Sequence, residues 1–328
     1  RGAGEHPLAS PLFQAEKEFT VKRYQMPRLD SKVMVIALSV LILLYFIVLP
    51  LAVLIIDSVV VDGHLDVSSY LTVYGQAVNM RALTNTAKIS ILVMILSVLI
   101  TFPLAWLIGR TDLPGRKKFR TILVASYMIP PYVGAIAWTQ LLNPDVGYLN
   151  ALLKTIFSLS KAPFNIYTEG GLIWVLTLFY SPFAFITISR AMEKMDPTLE
   201  EASRVSGASP LRVLWDVTLP LMAPSILAGG LLVFIGAGSA FGIPAIVGMP
   251  GNIEVLTTRI VSFVYMGNDS GIRNATTLAV SLMILAKWSA LFHDLVHGTQ
   301  GLYDHWRKKH PAKPWWNWEN GKVLLLFL

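Results

Sequence analysis

The chain has 328 residues, of which 54% are hydrophobic and only 14% charged, and its mean hydropathy is +0.57. A soluble domain carries about 25% charged residues, so this composition excludes an ordinary soluble domain and makes a membrane protein the first expectation. Cysteine is absent, which excludes disulfides and thiolate metal sites, and the net charge of +7 is spread over loops in a way that excludes a nucleic-acid footprint.

Six apolar runs follow one another along the chain. Residues 33–56 hold no charge over 24 positions, more than the roughly 20 needed to cross a bilayer core. Residues 89–108, 121–142, 171–189 and 221–247 are the next four. The sixth, about 274–295, is interrupted by Lys287 and His293. Between the runs the Lys and Arg counts alternate without a break. There are six in 1–32, two in 57–88, five in 109–120, two in 143–170, four in 190–220, two in 248–273 and six in 287–328. The positive-inside rule then predicts six spans, with both termini and the loops 109–120 and 190–220 in the cytoplasm. The basic surplus is a topology signal that anionic headgroups attract, and no nucleic-acid partner is expected.

Pro50, Pro103, Pro130, Pro131, Pro182 and Pro244 lie in or at the ends of these runs, and the fifth adds Gly229, Gly230, Gly236, Gly238 and Gly242. Prolines free backbone carbonyls that other protein groups or a wet cavity must satisfy. Gly238 and Gly242 have the spacing of a small-xxx-small packing pair. One reading is ordinary helix packing. The other is a movable pathway, which Ser126, Tyr127, Thr177, Tyr180, Ser181 and Ser239 would line. Runs one to five hold no Asp or Glu, which argues against a proton-driven carrier.

Residues 196–220 differ from everything around them. Asp196-Pro197 can start a helix, Gly207 can stop it, and Ser209-Pro210 can start a second. The order predicts a charged two-helix unit held against the cytoplasmic membrane face between the fourth and fifth spans.

Recognised chemistry is sparse. No G-x-x-x-x-G-K-[ST] and no G-x-S-x-G occurs, so neither a P-loop nor a serine hydrolase elbow is present. His293 and His297 share a helix face at a spacing that can hold Zn²⁺. The metalloprotease form needs Glu after the first His, and Asp294 stands there. A polar helix end at the headgroups explains the pair equally. No cofactor and no metal ligand set is predicted. Residues 296–328 carry four Trp among cations, a mix that belongs at a headgroup boundary. The final 323–328, VLLLFL, looks like the start of a further membrane segment, so the stretch is expected to be a linker to a second half.

Glu201-Ala202-Ser203, then Gly207, Val217, Leu219 and Pro220, together with Glu200 before them, resemble the EAA loop of the permease subunits of binding-protein-dependent ABC importers. Ser203 stands for an Ala and Val217 for an Ile. "NTAKIS" from Asn85, "PLAWLIGRTDLPGR" from Pro103 and "IPPYVGAIAW" from Ile129 are also similar to this family, so the resemblance covers about 83–285. "FGIPAIVGMPGNIEVLTTRIV" from Phe241 is most similar to the ferric-iron-type permeases, some of which fuse two halves.

The resemblance implies an all-α polytopic fold of six transmembrane helices with a cytoplasmic two-helix coupling loop. It implies a cytoplasmic N-terminal segment 1–32, a permease domain 33–295 and the linker 296–328. The protein would sit in the bacterial cytoplasmic membrane, with no enzymatic activity of its own. Its partners would be ABC ATPase subunits, an extracytoplasmic solute-binding protein, a second permease half (fused or separate) and lipid. Cargo stays open among ferric iron, polyamine, phosphonate, sulfate and other small solutes. The rival readings are an ion-coupled secondary transporter, a metalloprotease built on His293 and His297, and a membrane anchor.

Overall fold

The computed structural model describes residues 31–309 except 62 and 113, and leaves the side chains of residues 31, 61, 289, 290 and 292–309 undescribed. Helices carry nearly all of it. The only strands among the described residues are the antiparallel pair β1 (Val60–Val61) and β2 (His64–Leu65).

The chain divides at residue 53 into two compact units. The first contains most of helix α1 (Ser31–Val59), whose large apolar side chains are mostly exposed, from Ile55 at 40% to Phe46 at 70%. Such a helix is stable only where its surroundings are apolar, as in lipid.

In the second unit, α2 (Ser68–Gly75) leads into α3 (Ala77–Arg110). At 34 residues α3 is about 51 Å long, well beyond the roughly 30 Å hydrocarbon core. Then come α4 (Arg116–Ala125), a tight turn at Ser126–Met128, α5 (Pro131–Leu142), α6 (Tyr148–Phe157) and α7 (Glu169–Lys194). The short α8 (Thr198–Val205) and α9 (Pro210–Val213) follow. A π-helical turn Leu214–Thr218 feeds α10 (Leu219–Gly238). A second π-helical turn, Pro244–Gly248, precedes α11 (Leu256–Val264) and α12 (Asp269–Lys309).

The core is the packing of α3, α7 and α10. Apolar side chains such as Val93, Leu176, Phe185, Ile188 and Val233 fill it. In lipid the hydrophobic effect gives helices little reason to associate, so close van der Waals fit must do it. Small residues provide that fit. On α3, Thr86, Ser90, Ser97 and Thr101 form a buried stripe at helical spacing. A Cβ on Gly238 would lie 3.1 Å from Ser90 Oγ, and one on Gly229 would lie 3.1 Å from the Ala184 Cα of α7. Two of the stripe's hydroxyls donate within their own helix, Thr86 to Ala82 O and Thr101 to Ser97 O, whereas the buried Ser97 hydroxyl has no partner.

Among the described residues four helices are long and apolar enough to cross a membrane: α1, α3, α7, and α9 to α10 taken together. A fifth is added if the bent pair α4–α5 counts as one span. The expected third span, 121–142, is therefore not a straight helix. It breaks by 100° at Ile129-Pro130-Pro131, where two prolines forbid a continuous ladder. The fifth run likewise divides. Its helix stops at Gly238, so Gly238 and Gly242 are not one packing face: the first packs on Ser90, the second on Tyr132 of α5. The sixth run lies within α12, which continues to Lys309, so the stretch expected to be a linker from 296 begins as helix. Residues 310–328, with the terminal apolar run, are outside the described residues, as are residues 1–30.

Candidate functional site

The two-helix unit folds as its caps dictate. Asp196 Oδ1 accepts the Thr198 N–H at 3.0 Å at the start of α8, and Ser209 Oγ accepts the Arg212 N–H at 3.4 Å at the start of α9. Between them Gly207 has φ +87°. Its N–H donates to Arg204 O (2.9 Å), and the Ala208 N–H donates to Ser203 O (3.2 Å). This is a Schellman ending, the arrangement that terminates a helix with a left-handed residue at C′.

The unit presents two faces. Glu201, Ala202 and Gly207 are exposed, and so are Val205 at 90% and Leu211 at 70%, which nothing among the described residues covers; Trp215, 64% exposed, lies beside Phe102 and Pro103 of α3. Ser203, Val217 and Leu219 are half-buried and Pro220 is exposed. Inward stands Glu200, whose side chain is only 6% exposed. Its Oε1 accepts the Thr218 hydroxyl at 2.6 Å, and its Oε2 lies 2.9 Å from Arg110 Nε at the end of α3. The Arg110 N–H does not point along that line, so the attraction is of charge rather than an aligned hydrogen bond. Arg110 Nη2 also donates to Met195 O, at the C-cap of α7, at 3.0 Å.

The EAA-like residues thus do not share one role. Glu201 points away from the chain, whereas Glu200, grouped with it in the sequence, is an internal residue. Arg110, Thr218 and Met195 were not singled out by sequence reasoning. The signal for Arg110 was its place inside the quoted motif from Pro103.

The expected pathway residues gather only in part. Ser126 and Ser181 line one cleft of about 340 Å³ between α3, α5 and α7, with Trp138 and Phe185. Tyr127 and Tyr180 meet through Phe183, at ring separations of 4.9 and 6.1 Å. Thr177 is buried with its hydroxyl unpartnered, and Ser239 is exposed at the end of α10, bonded to Ile235 O. The Ser126 hydroxyl is spent on Leu123 O and that of Ser181 on Leu178 O. His293 and His297 have side chains outside the described residues. Among the described residues no group of three or more His, Cys, Asp or Glu gathers.

At the opposite end of the bundle the "NTAKIS" motif acts as a suture. Asn85 Nδ2 donates to Glu254 O, and Thr86 Oγ1 accepts the Leu256 N–H at 2.8 Å, holding the start of α11 against α3. Arg259 Nε donates to Asn79 Oδ1 in the same layer.

A family model described as "binding-protein-dependent transport system inner membrane component" matches residues 34–292. The chain is 25% identical over 271 residues to a ferric transport system permease protein FbpB of Actinobacillus pleuropneumoniae, covering 82% of this chain and 38% of that protein. It is 25% identical over 218 residues to the molybdenum transport system permease protein ModB of Escherichia coli, covering 64% of this chain and 93% of that one. The chain spans about two fifths of the length of the ferric-transport relatives that it matches. Among solved structures, a bacterial alginate ABC transporter in complex with an alginate-pentasaccharide-bound periplasmic protein contains a chain of like fold. The TM-score is 0.67 at 21% identity, over 80% of this chain and 93% of that one.

Proposed function

Because the chain belongs to the family of binding-protein-dependent transport system inner membrane components, we propose that it is a membrane-spanning permease subunit of an ABC importer, coupled to a cytoplasmic ATPase through residues 196–220. The observation that carries this is the exposed face of α8 and α9. It combines a carboxylate, small residues and two exposed apolar side chains, Val205 and Leu211, on a unit placed between two long helices. An exposed apolar group rimmed by charge is the signature of a docking surface.

In this reading both ends and the loops 109–120 and 190–220 face the cytoplasm, which the alternating basic counts support. Six spans are reached when the bent pair α4–α5 and the apolar part of α12 are both counted. The ATPase subunits close on ATP, the seated α8 follows them, and α7 and α10 follow α8. An extracytoplasmic solute-binding protein delivers cargo to the loops 57–88, 143–170 and 248–273. The pathway forms against a second permease half, fused or separate, and alternates its access. Ferric iron is the first cargo to test, since the two ferric relatives match 82% and 78% of this chain. Sulfate, molybdate and 2-aminoethylphosphonate follow from other relatives' names.

The test is capture and transport together. The chain should co-purify with its cognate ABC ATPase. In proteoliposomes it should take up cargo only when ATP is inside the ATPase compartment and loaded binding protein is on the other side. Uptake driven by an ion gradient without ATP would replace this reading with a secondary carrier.

A further inference from the structure

We propose that Glu200 and Arg110 are a positioning pair that joins the coupling unit to α3, so that the ATPase stroke enters the bundle through three long helices and not only through α7 and α10, which flank the loop in sequence. The inference rests on the importer reading above and deepens it.

The geometry assigns this role to one buried carboxylate and one buried guanidinium. Glu200 belongs to α8. Its Oε2 lies 2.9 Å from Nε of Arg110, the last residue of α3, and its Oε1 accepts from Thr218, which opens α10, at 2.6 Å. Arg110 Nη2 donates at 3.0 Å to Met195 O, which closes α7. Four elements therefore meet at a single pair of side chains, 6% and 11% exposed. The other described ion pairs are unlike it. Lys88–Glu169, Arg120–Glu193 and Arg212–Asp216 all have side chains at least 39% exposed, where water screens the attraction and each pair adds little.

Desolvation makes the buried pair costly to separate. Either charge left alone would sit in low dielectric without a partner, a strongly unfavourable state. The pair therefore stays closed while the surfaces around it slide, and α8 moves as one block with the end of α3. The division of labour between neighbours follows. Glu201 faces out and serves docking, and Glu200 faces in and serves transmission.

The test separates capture from stroke in the assembled complex with its ATPase and loaded binding protein. Glu200→Gln keeps the Thr218 contact but removes the charge that faces Arg110. It is expected to hold ATPase capture within about twofold of wild type while transport falls about tenfold or more, the size of a typical coupling term. Arg110→Lys keeps the charge without the fork to Met195 and should fall between. Equal losses of capture and transport in Glu200→Gln would overturn the proposal, because Glu200 would then only shape the docking surface. Wild-type transport in that variant would overturn it too. A wild-type chain that captures no ATPase would remove the importer reading itself.

A second measurement does not depend on the variant folding. The chain has no cysteine, so spin labels can be placed on Thr198→Cys at the start of α8 and Asp112→Cys just past α3, both exposed. Their separation should change by no more than about 2 Å when ATP binds, within an ordinary helix shift. A larger change would show that α8 and α3 part during the stroke, and the pair would not be a joint.

Discussion

Replacing Gly207 isolates the backbone requirement of the coupling unit from its packing. The residue sits at φ +87°, and a Cβ built on it would meet nothing within 4 Å. A side chain there has room, so any penalty comes from the backbone alone. An L-residue held in the left-handed region costs about 1–2 kcal/mol, and strained positions of this kind range over about 1–3 kcal/mol. A β-branched side chain belongs at the upper end and Asn, which tolerates this conformation, at the lower. The Schellman bonds from Gly207 and Ala208 fix the angle between α8 and α9, so the cost falls on the population of the docking-competent turn. At 1.4 kcal/mol per tenfold change, the series Asn, Ala, Val should weaken ATPase capture progressively, up to about 150-fold for Val. Binding of each variant to the purified ATPase in detergent measures this directly. Thermal unfolding of the membrane bundle should stay within a few degrees of wild type, because the turn is exposed. Capture by Gly207→Val equal to wild type, or a loss as large for Asn as for Val, would refute the argument.

Further expectations concern other parts of the chain. Glu201→Arg reverses an exposed charge on the docking face without touching the buried network, so it should lower ATPase capture and transport in parallel, read by the same binding assay and by uptake. Gly229→Leu places a side chain against the Ala184 backbone, where a Cβ would lie 3.1 Å from Cα. Backbone cannot yield as a side chain does, so the variant should lose several degrees of thermal stability and much of its yield, whereas Gly75→Ala, with nothing within 4 Å, should not. Single cysteines at Gly115 and Gly207 should react with a membrane-impermeant maleimide only from the cytoplasmic side and one at Ser158 only from outside. Outside labelling at Gly115 or Gly207 would overturn the orientation.

Much of the fold was legible because membrane helices announce themselves by length and apolarity. The runs 33–56, 89–108 and 171–189 became the centres of α1, α3 and α7. The two-helix shape of residues 196–220 was legible through its turn residues, since Asp196, Gly207 and Ser209 act locally and need no tertiary context. Apolarity does not report continuity, however. The break at Pro130-Pro131 and the end of α10 at Gly238 sit inside runs of uniform hydropathy, and only the prolines marked the first. Within the site, Glu200 was grouped with Glu201 as one coupling-loop set. Side chains one position apart on a helix point about 100° apart, which is enough to bury Glu200 while exposing Glu201. That its partner would be Arg110, 90 residues earlier, depends on where α3 ends against α7 and α10, and no local pattern encodes such a meeting.

The hydroxyl stripe of α3 has a mechanical consequence. Thr86 and Thr101 on α3 and Thr187 on α7 each donate to a carbonyl four residues earlier in their own helix. Among the described residues, the side-chain links between α3 and α7 lie at the two ends, Lys88 with Glu169 at one and Arg110 with Met195 at the other. Between these levels the helices touch through small residues and apolar side chains, and the buried hydroxyls of Ser97 and Thr177 have no partner there. Among the described residues no side-chain hydrogen bond joins α3 to α7 along this stretch, so sliding there breaks none between them. Friction in the bundle is therefore low along its middle and high at its rims, and a displacement applied at one rim is carried along the bundle as shear instead of being absorbed by stretched polar contacts on the way.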